Sequence, residues 1–405
     1  MSCFWHSLIG LDEEGSPLTP VITWADGRAR DHARAFRDTF NESEIHQRTG
    51  CMLRTSFWPA KLAWLRETDP RLFESVRQWT SPGDWLLWEL FGVETLGVSM
   101  ASGTGLWGLR HAGWDQELLA ACHVGEEKLG RPDESGFPLA ESARRKFPEL
   151  GRALVFPAMG DGAASNLGSG ATLPERAAIN FGTSGAARVI LPAAPDLPFG
   201  LFGYRVDPSR WLVGGAISNA GNLRAWGVRE WGFTEGPAFE KILAKRPGPV
   251  EGLTVLPFWT PERAPTWCED LTGTIVGISA ATTKLDLFQA VTDATYLRLA
   301  QIIDKLPGAQ SPDFELIVSG GIQKSVVSLQ RLADVIGRPL RVGLEAEASL
   351  RGAALSVWEQ LGRTPPEMAL GRLVHPDESR HGLFLAARKR QQELEEAMAK
   401  SDWMG

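Results

Sequence analysis

The stretch at residues 157–188, PAMGDGAASNLGSGATLPERAAINFGTSGAAR, constrains this chain more than any other. It holds two glycine-rich segments, and one acidic residue, Asp161, sits among small neighbours. The first segment, residues 160–170, presents that carboxylate with little bulk around it. In the second, residues 177–181 read as a short strand that runs into a tight turn, Gly182-Thr183-Ser184-Gly185. Glycines at such a turn let backbone N–H groups approach an anion, and Thr183 and Ser184 add hydroxyl donors. A carboxylate beside a phosphate cradle suits phosphoryl transfer: the acid accepts the substrate's hydroxyl proton while the loop holds phosphate. The same residues also read as two hairpin turns and a surface Asp, since short motifs are weak alone.

A chain of 405 residues is long enough for two or three domains with ample core. Its net charge of −7 argues against nucleic acid as the main partner, which would need a basic excess. Cys3, Cys51, Cys122 and Cys268 are scattered, with neither metal-ligand spacing nor a disulfide framework. A reducing cytoplasm is the default expectation. No signal peptide and no membrane-length apolar run is read.

In chain order, residues 1–10 read as a strand and residues 21–24 as its return. Asp26 and Arg28 follow, read either as ligand groups at a strand end or as helix-capping and surface charge. Residues 29–48 read as polar helix. Lys61, on an amphipathic helix, reads either as a cation for an anionic ligand or as a solvated surface residue. Residues 99–105, SMASGTG, form either a polar substrate wall around Ser102 or a plain serine–glycine loop. A domain boundary is placed near residues 173–175, giving domains 1–173 and 174–405 with a cleft between them. Strands are expected at 186–191, 211–214, 254–258, 273–278, 315–318 and 338–342. Ser218 or Asn219 is expected to cap the helix that follows residue 217. Residues 285–306 form a long helix. Strand 315–318 runs into Ser319-Gly320-Gly321, and a helix follows with Ile322, Val326, Leu329, Ala333 and Ile336 on one face. Strand, glycine turn and helix N-terminus make a nucleotide-site geometry, and also ordinary α/β packing. Residues 382–400 read as a charged helix packed on the outside. Alternating strands and helices make the fold class α/β.

The ordered segments WADGRA, TGC, FWPAKLAWLR, SMASGTGL, GDGA…NLGSG, FGTSGAAR, GGAISNAG and SGGIQKS…EASLRGAA resemble the FGGY carbohydrate kinases, and their gluconate kinase branch above the rest. The resemblance covers nearly the whole chain. It implies two actin-like (ribonuclease H-like) domains, with sugar bound mainly by the first and ATP mainly by the second. It implies Asp161 as general base, and His6, Trp24, Asp26, Ser102 and Asp161 at the sugar. Gly182, Thr183 and Ser184 would hold phosphate, Gly320 and Gly321 would approach the adenosine, and the small residues around Gly352 would lie beside it. Mg2+ would accompany ATP with no metal ligand identified on the protein, and a homodimer fits the family. The reaction implied is phosphorylation of a sugar or sugar-acid hydroxyl, with D-gluconate to 6-phosphogluconate first. Xylulose and glycerol kinases share the frame.

Two departures stand out. The family's Gly-Glu-Arg segment reads here Thr260-Pro261-Glu262-Arg263. The family's opening hairpin, with its Asp-x-Gly-Thr phosphate loop, is not found in these residues, so the first domain is expected to be N-terminally incomplete, through a wrong start or a real loss. That leaves a second class of function in play: a catalytically inactive sugar- or nucleotide-binding relative.

Overall fold

The structure, a computed structural model, describes residues 1–401. The chain forms two compact units. One comprises Met1–Gly170, Ile190–Val213 and Glu347–Pro366; the other comprises Ala171–Val189, Gly214–Ala346 and the chain from Glu367 onward.

In the first unit the single strand expected over residues 1–10 is broken. Ser2–Cys3 pairs in parallel with Met159–Gly160, and Ile9–Leu11 pairs antiparallel with Gln78–Thr80. Between them the chain turns, and His6 sits at φ 67°. The cause is Trp5. Its indole fills a niche that exists only because Gly103 and Gly160 lack Cβ atoms, and its Nε1 donates to the Ser99 carbonyl at 2.8 Å. The expected return strand at 21–24 shrinks to one bridge, Leu8 with Ile22. The polar stretch 29–48 forms two helices, Arg30–Thr39 and Glu42–Thr49. The break falls at Asn41, whose side chain accepts from Ser43 N at 3.1 Å and caps the second. Residues 99–105 are not simply a loop: Val98–Ser102 is helical, and turns follow.

The glycines around Asp161 do not make a loop either. Asp161–Ser169 is an α-helix, and its C-cap Gly170 lies at φ 80°. Gly168 is there for close approach. It faces Gly352 of the helix Ala348–Gln360, and a Cβ on either would fall under 3.0 Å from a carbonyl oxygen, that of Ala348 or of Ala164. Ala164 with Gly168 and Ala348 with Gly352 thus form two matched small-residue steps, one per helix, which allow backbone contact. The small residues around Gly352 therefore serve a helix–helix contact.

The second unit is built on a mixed sheet. Its strand order is Leu370–Val374, Leu340–Gly343, Glu315–Ser319, Arg176–Phe181, Gly185–Leu191, Arg210–Ile217, and the last two strands run on into the first unit. Glu315–Ser319 is parallel to both Arg176–Phe181 and Leu340–Gly343. The loops after all three therefore emerge at the same, carboxyl end of the sheet. Several strands escaped the sequence reading, Gln78–Thr80 among them, and two are instructive. Phe202–Asp207, in the first unit, is buried along nearly all its length, so it lacks alternation. Leu370–Val374 is a short edge strand with an interior glycine and an irregular register.

The long helix Lys284–Lys305 opens on a capping box between Thr283 and Asp286 and is buried from Phe288 to Ile303. After Glu315–Ser319 a 3-10 turn, Gly321–Lys324, precedes the helix Val326–Ile336, which Ser325 caps. That extra turn changes the phase, so Val326, expected on the apolar face, is 65% exposed. The helix Glu378–Ala399 is not purely external: Gln391 and Glu395 are buried, and Glu395 pairs with the fully buried Arg298 at 2.5 Å. Among the described residues no helix is long and apolar enough to cross a membrane.

Gly352→Val should destabilise the protein by at least about 2 kcal/mol, because the helix Asp161–Ser169 has no room to recede. Gly113→Ala, where a Cβ meets nothing within 4 Å, is the control. Urea unfolding of the two variants beside the parent is the measurement.

Candidate active site

In the first unit the candidate sugar residues gather around the Trp5 niche. His6 Nδ1 lies 2.5 Å from the Gly103 carbonyl, and Nε2 lies 3.4 Å from the Tyr204 hydroxyl. Its ring packs edge-on against Phe57 and tilted against Tyr204, which is itself buried and in contact with Trp5. A β-carbon-bearing residue with positive φ is uncommon and costs energy, so these contacts hold His6 in one orientation.

Lys61 gives the site its least expected feature. It is fully buried, and Nζ donates to the carbonyls of His6 and Ser56 at 2.6 and 2.7 Å. Neither sequence reading survives: the ammonium is not on the surface, and its bonds go to backbone. It fastens the strained His6 peptide to the helix Trp58–Thr68. Burial pushes its pKa down to about 7, with the Asp26 charge opposing. Asp26 is gripped by Arg28, whose Nε and terminal nitrogen reach the carboxylate at 3.0 and 2.6 Å. That bond holds the Asp26 pKa below the ordinary carboxylate value. Arg28 in turn lies over the Trp64 ring at 4.4 Å. Trp24 is half-buried, and its N–H donates to the Ser7 hydroxyl at 3.2 Å.

Ser102 has no exposed surface. Its hydroxyl donates to Ser99 O at 2.9 Å and accepts from Arg205 N at 2.8 Å, tying the Val98–Ser102 helix to the strand Phe202–Asp207. Asp161 is exposed at the first position of its helix, and Oδ1 accepts from Gly162 N at 2.8 Å. The short strand Met159–Gly160 delivers it, and Gly160 N is held by the Ser99 hydroxyl at 3.1 Å.

In the second unit, Gly182, Thr183 and Ser184 link the antiparallel strands Arg176–Phe181 and Gly185–Leu191. The turn is therefore a hairpin, as one of the two readings had it, but its carbonyls are all occupied. Ser184 O accepts from Gly182 N at 2.9 Å, Gly182 O from Gly221 N at 2.9 Å, and Thr183 O from Asn222 N at 3.1 Å. Those last two donors open the helix Gly221–Glu230. Thr183 and Ser184 are exposed on the turn, and its carbonyl oxygens are already hydrogen-bonded. Neither Ser218 nor Asn219 caps that helix. Asn222 Oδ1 accepts from Ala220 N and Leu223 N instead, because Asn219 is engaged with Thr260 and Glu262.

Gly320, at φ 94°, and Gly321 are exposed at the carboxyl end of the central parallel strand. A Cβ on Gly320 would stand 2.8 Å from the Phe181 carbonyl. Gln323 Nε2 donates to Val318 O at 2.8 Å and to Gly343 O at 2.9 Å, closing the gap between neighbouring strand ends. Bare glycine backbone at the carboxyl ends of parallel strands is where α/β sheets bind ligands. The structural parts played by Trp5, Lys61, Tyr204, Gln323 and Glu262 were missed or left open by the sequence reading. For Trp5 the glycines it packs against, Gly103 and Gly160, were visible in the sequence.

These arrangements define a class. The model for the FGGY family of carbohydrate kinases, N-terminal domain, matches residues 1–168, and that for the C-terminal domain matches residues 177–357. The chain belongs to the FGGY family; it is a carbohydrate kinase of the two-domain, actin-like (ribonuclease H-like) fold that uses ATP as phosphate donor. The gluconokinase of Bacillus subtilis (strain 168) is 27% identical over 371 residues, 86% of this chain and 71% of that one. A xylulose kinase of Streptomyces rubiginosus is 29% identical over 357 residues, again 86% and 71%. Among solved structures, the gluconate kinase from Lactobacillus acidophilus superposes with a TM-score of 0.90 at 25% identity, covering 99% of this chain and 84% of that one. The ligand-bound xylulose kinase from the same species gives 0.91, with the same identity and coverage.

Lys61 titrates near pH 7 when folded and at its ordinary value of 10.5 when unfolded. Between those values the unfolded chain binds the extra proton, so the stability that Lys61 contributes rises with pH, by up to about 1.4 kcal/mol per unit, and is lost as pH falls through 7. The difference in unfolding free energy between the parent and Lys61→Met should climb from pH 7.5 to 9.5, as measured by urea titration at each pH.

Proposed function

We propose that this kinase phosphorylates a sugar acid, D-gluconate first, to give 6-phosphogluconate. Two features, each within its own unit, support the kinase chemistry. One is an exposed carboxylate, Asp161, at the start of a rigidly packed helix. The other is a hairpin turn, Gly182–Ser184, whose carbonyls are internally satisfied. Asp161 accepts the proton of the sugar hydroxyl as that oxygen bonds to the γ-phosphorus; the bond to the departing ADP oxygen breaks. Gly182, Thr183 and Ser184 hold phosphate, and Gly320 and Gly321 let the nucleotide lie against bare backbone. His6, Trp24 and Asp26 line the sugar side, and Ser102 supports it from beneath. The gluconate assignment rests on the gluconokinase relatives.

No group of three or more His, Cys, Asp or Glu side chains that could hold a metal ion occurs among the described residues. Mg2+ would arrive with ATP, as it is commonly held by one or two carboxylates plus phosphates, and Asp161 is an exposed carboxylate that could reach it. When bound, the ion neutralises phosphate charge. A cytoplasmic location is part of this reading, and the scattered cysteines Cys3, Cys51, Cys122 and Cys268, none paired in a disulfide, are in keeping with it. A second reading, a ketopentose kinase, is favoured by the xylulose kinase similarities. A panel of gluconate, xylulose and glycerol with ATP separates the two: kcat/KM highest for gluconate is expected, and a xylulose maximum overturns the assignment.

Asp161→Asn should lower kcat by about 10²–10⁴ while calorimetric affinities for sugar and ATP stay close to the parent's. Near-normal turnover would remove Asp161 from the role of base. Gly320→Val should weaken ATP binding more than sugar binding, because its Cβ meets the Phe181 carbonyl at 2.8 Å and its backbone is strained at φ 94°. Titration of each ligand separately shows which affinity is lost.

A further inference from the structure

The segment Thr260-Pro261-Glu262-Arg263, where this chain departs from the family's glycine-containing pattern, has a place in the second unit that the proposed chemistry has not used. Glu262 is fully buried. Its Oε1 accepts from Ser218 N at 2.7 Å and from Arg263 N at 2.9 Å, and its Oε2 accepts from the Asn219 side-chain amide at 3.2 Å. Arg263 returns to the same place, with Nε on the Ser218 hydroxyl and a terminal nitrogen on the Ile217 carbonyl, both at 3.2 Å. Thr260 fixes the orientation of Asn219. Its N–H and hydroxyl both donate to Asn219 Oδ1, at 3.1 and 3.2 Å, and its carbonyl accepts from Asn219 Nδ2 at 2.9 Å.

Ser218 and Asn219 lead directly to Ala220 and Gly221, and Gly221 N and Asn222 N hold the carbonyls of Gly182 and Thr183. The Gly221 contact is so close that a Cβ there could not fit against the Gly182 carbonyl. A connected path therefore runs from the buried carboxylate, by hydrogen bonds to Ser218 and Asn219 and along the backbone to Gly221 and Asn222, to the hairpin turn.

We infer that Glu262 is a positioning residue for the phosphate-holding turn. With Thr260 and Asn219 it sets where the Gly182–Ser184 hairpin stands by fixing the two backbone donors, of Gly221 and Asn222, that grip it. The inference rests on the reading of that turn as a phosphate site. Thr260 and Pro261 are then no loss of function: the threonine supplies bonds that lock Asn219, and a stiff loop suits a clamp.

Glutamate is required because every group facing it is a donor. Glu262→Gln places an amide against at least one of them, and Asn219 cannot turn over to compensate, since Thr260 holds both ends of its amide. The turn should then shift, and misplacement on the order of 1 Å can cost about 10²-fold. We expect Glu262→Gln to lower kcat/KM for ATP by roughly 10- to 100-fold. The Kd of the free enzyme for the sugar, measured by calorimetry, should change less than about twofold, as sites without shared partners behave independently.

Thr260→Val, at an exposed position, removes only the hydroxyl bond and keeps the fold if Glu262→Gln does not. It should raise KM for ATP in the same direction and leave the sugar Kd unchanged. A purely structural role would lower the melting temperature of both variants and leave the KM for ATP of the folded fraction at the parent value, which overturns the inference. Thr183→Ala separates the two layers. If it raises KM for ATP and both clamp variants do not, the phosphate site stands and the clamp falls. If none of the three moves KM for ATP, the phosphate site and the clamp fall together.

Discussion

The hairpin turn Gly182–Ser184 is gripped by the first two N–H groups of the helix Gly221–Glu230, which bond to the turn's own carbonyl oxygens. A phosphate held there, as proposed, would not face unpaired carbonyls. Helix N-terminal donors ordinarily have no intrahelical partner, so they are available at no cost in helical bonding. Once they are committed, their placement matters, and the neighbouring backbone is held by a buried carboxylate that sees only donors. Burial raises the pKa of Glu262, while the Arg298 charge and the converging N–H groups favour the ionised form. Arg298 is in turn paired with Glu395, which explains why a helix of charged residues near the end of the chain carries a buried acid.

The first unit relies on absence of volume. Gly103 and Gly160 open the space for Trp5, Trp5 forces the chain to turn at His6, and Lys61 secures the turn from below. Gly168 and Gly352 let two helices touch at the backbone, which fixes the helix that begins with Asp161. Interiors pack like crystals, so such gaps cannot be refilled without moving their neighbours. Gly160 and Gly168 of the GDGAASNLGSG segment are thus packing residues, whereas Gly170 supplies the positive φ that ends the helix.

Much of the second unit was legible because its signals are local. Residues 315–318 announce a strand by their apolar run, and the long helix from Lys284 to Lys305 was placed to within a residue at either end. Where a helix start needed one extra turn, as at Gly321–Lys324, the phase of the apolar face was lost and Val326 was assigned inward. Phe202–Asp207 was invisible because a strand buried on both faces has no alternation to read. Lys61 was the clearest misreading, since a lone lysine on an amphipathic helix carries no mark of the two carbonyls waiting for it.

By itself the sequence determined the family, the alternation of strands and helices, and the residue types on which the chemistry is proposed: an acid among small residues, and glycine turns at strand ends. Those properties are carried by neighbours along the chain, so spacing alone conveys them. Only the tertiary structure decided that Asp161 opens a helix, that Ser102 faces inward, that Asn222 and not Asn219 organises the start of its helix, and that Glu262 is buried among donors. Each of these depends on groups at least several residues away meeting at hydrogen-bonding distance. A hydrogen bond's worth is set by whether its partner is present and water is absent, which no local pattern records.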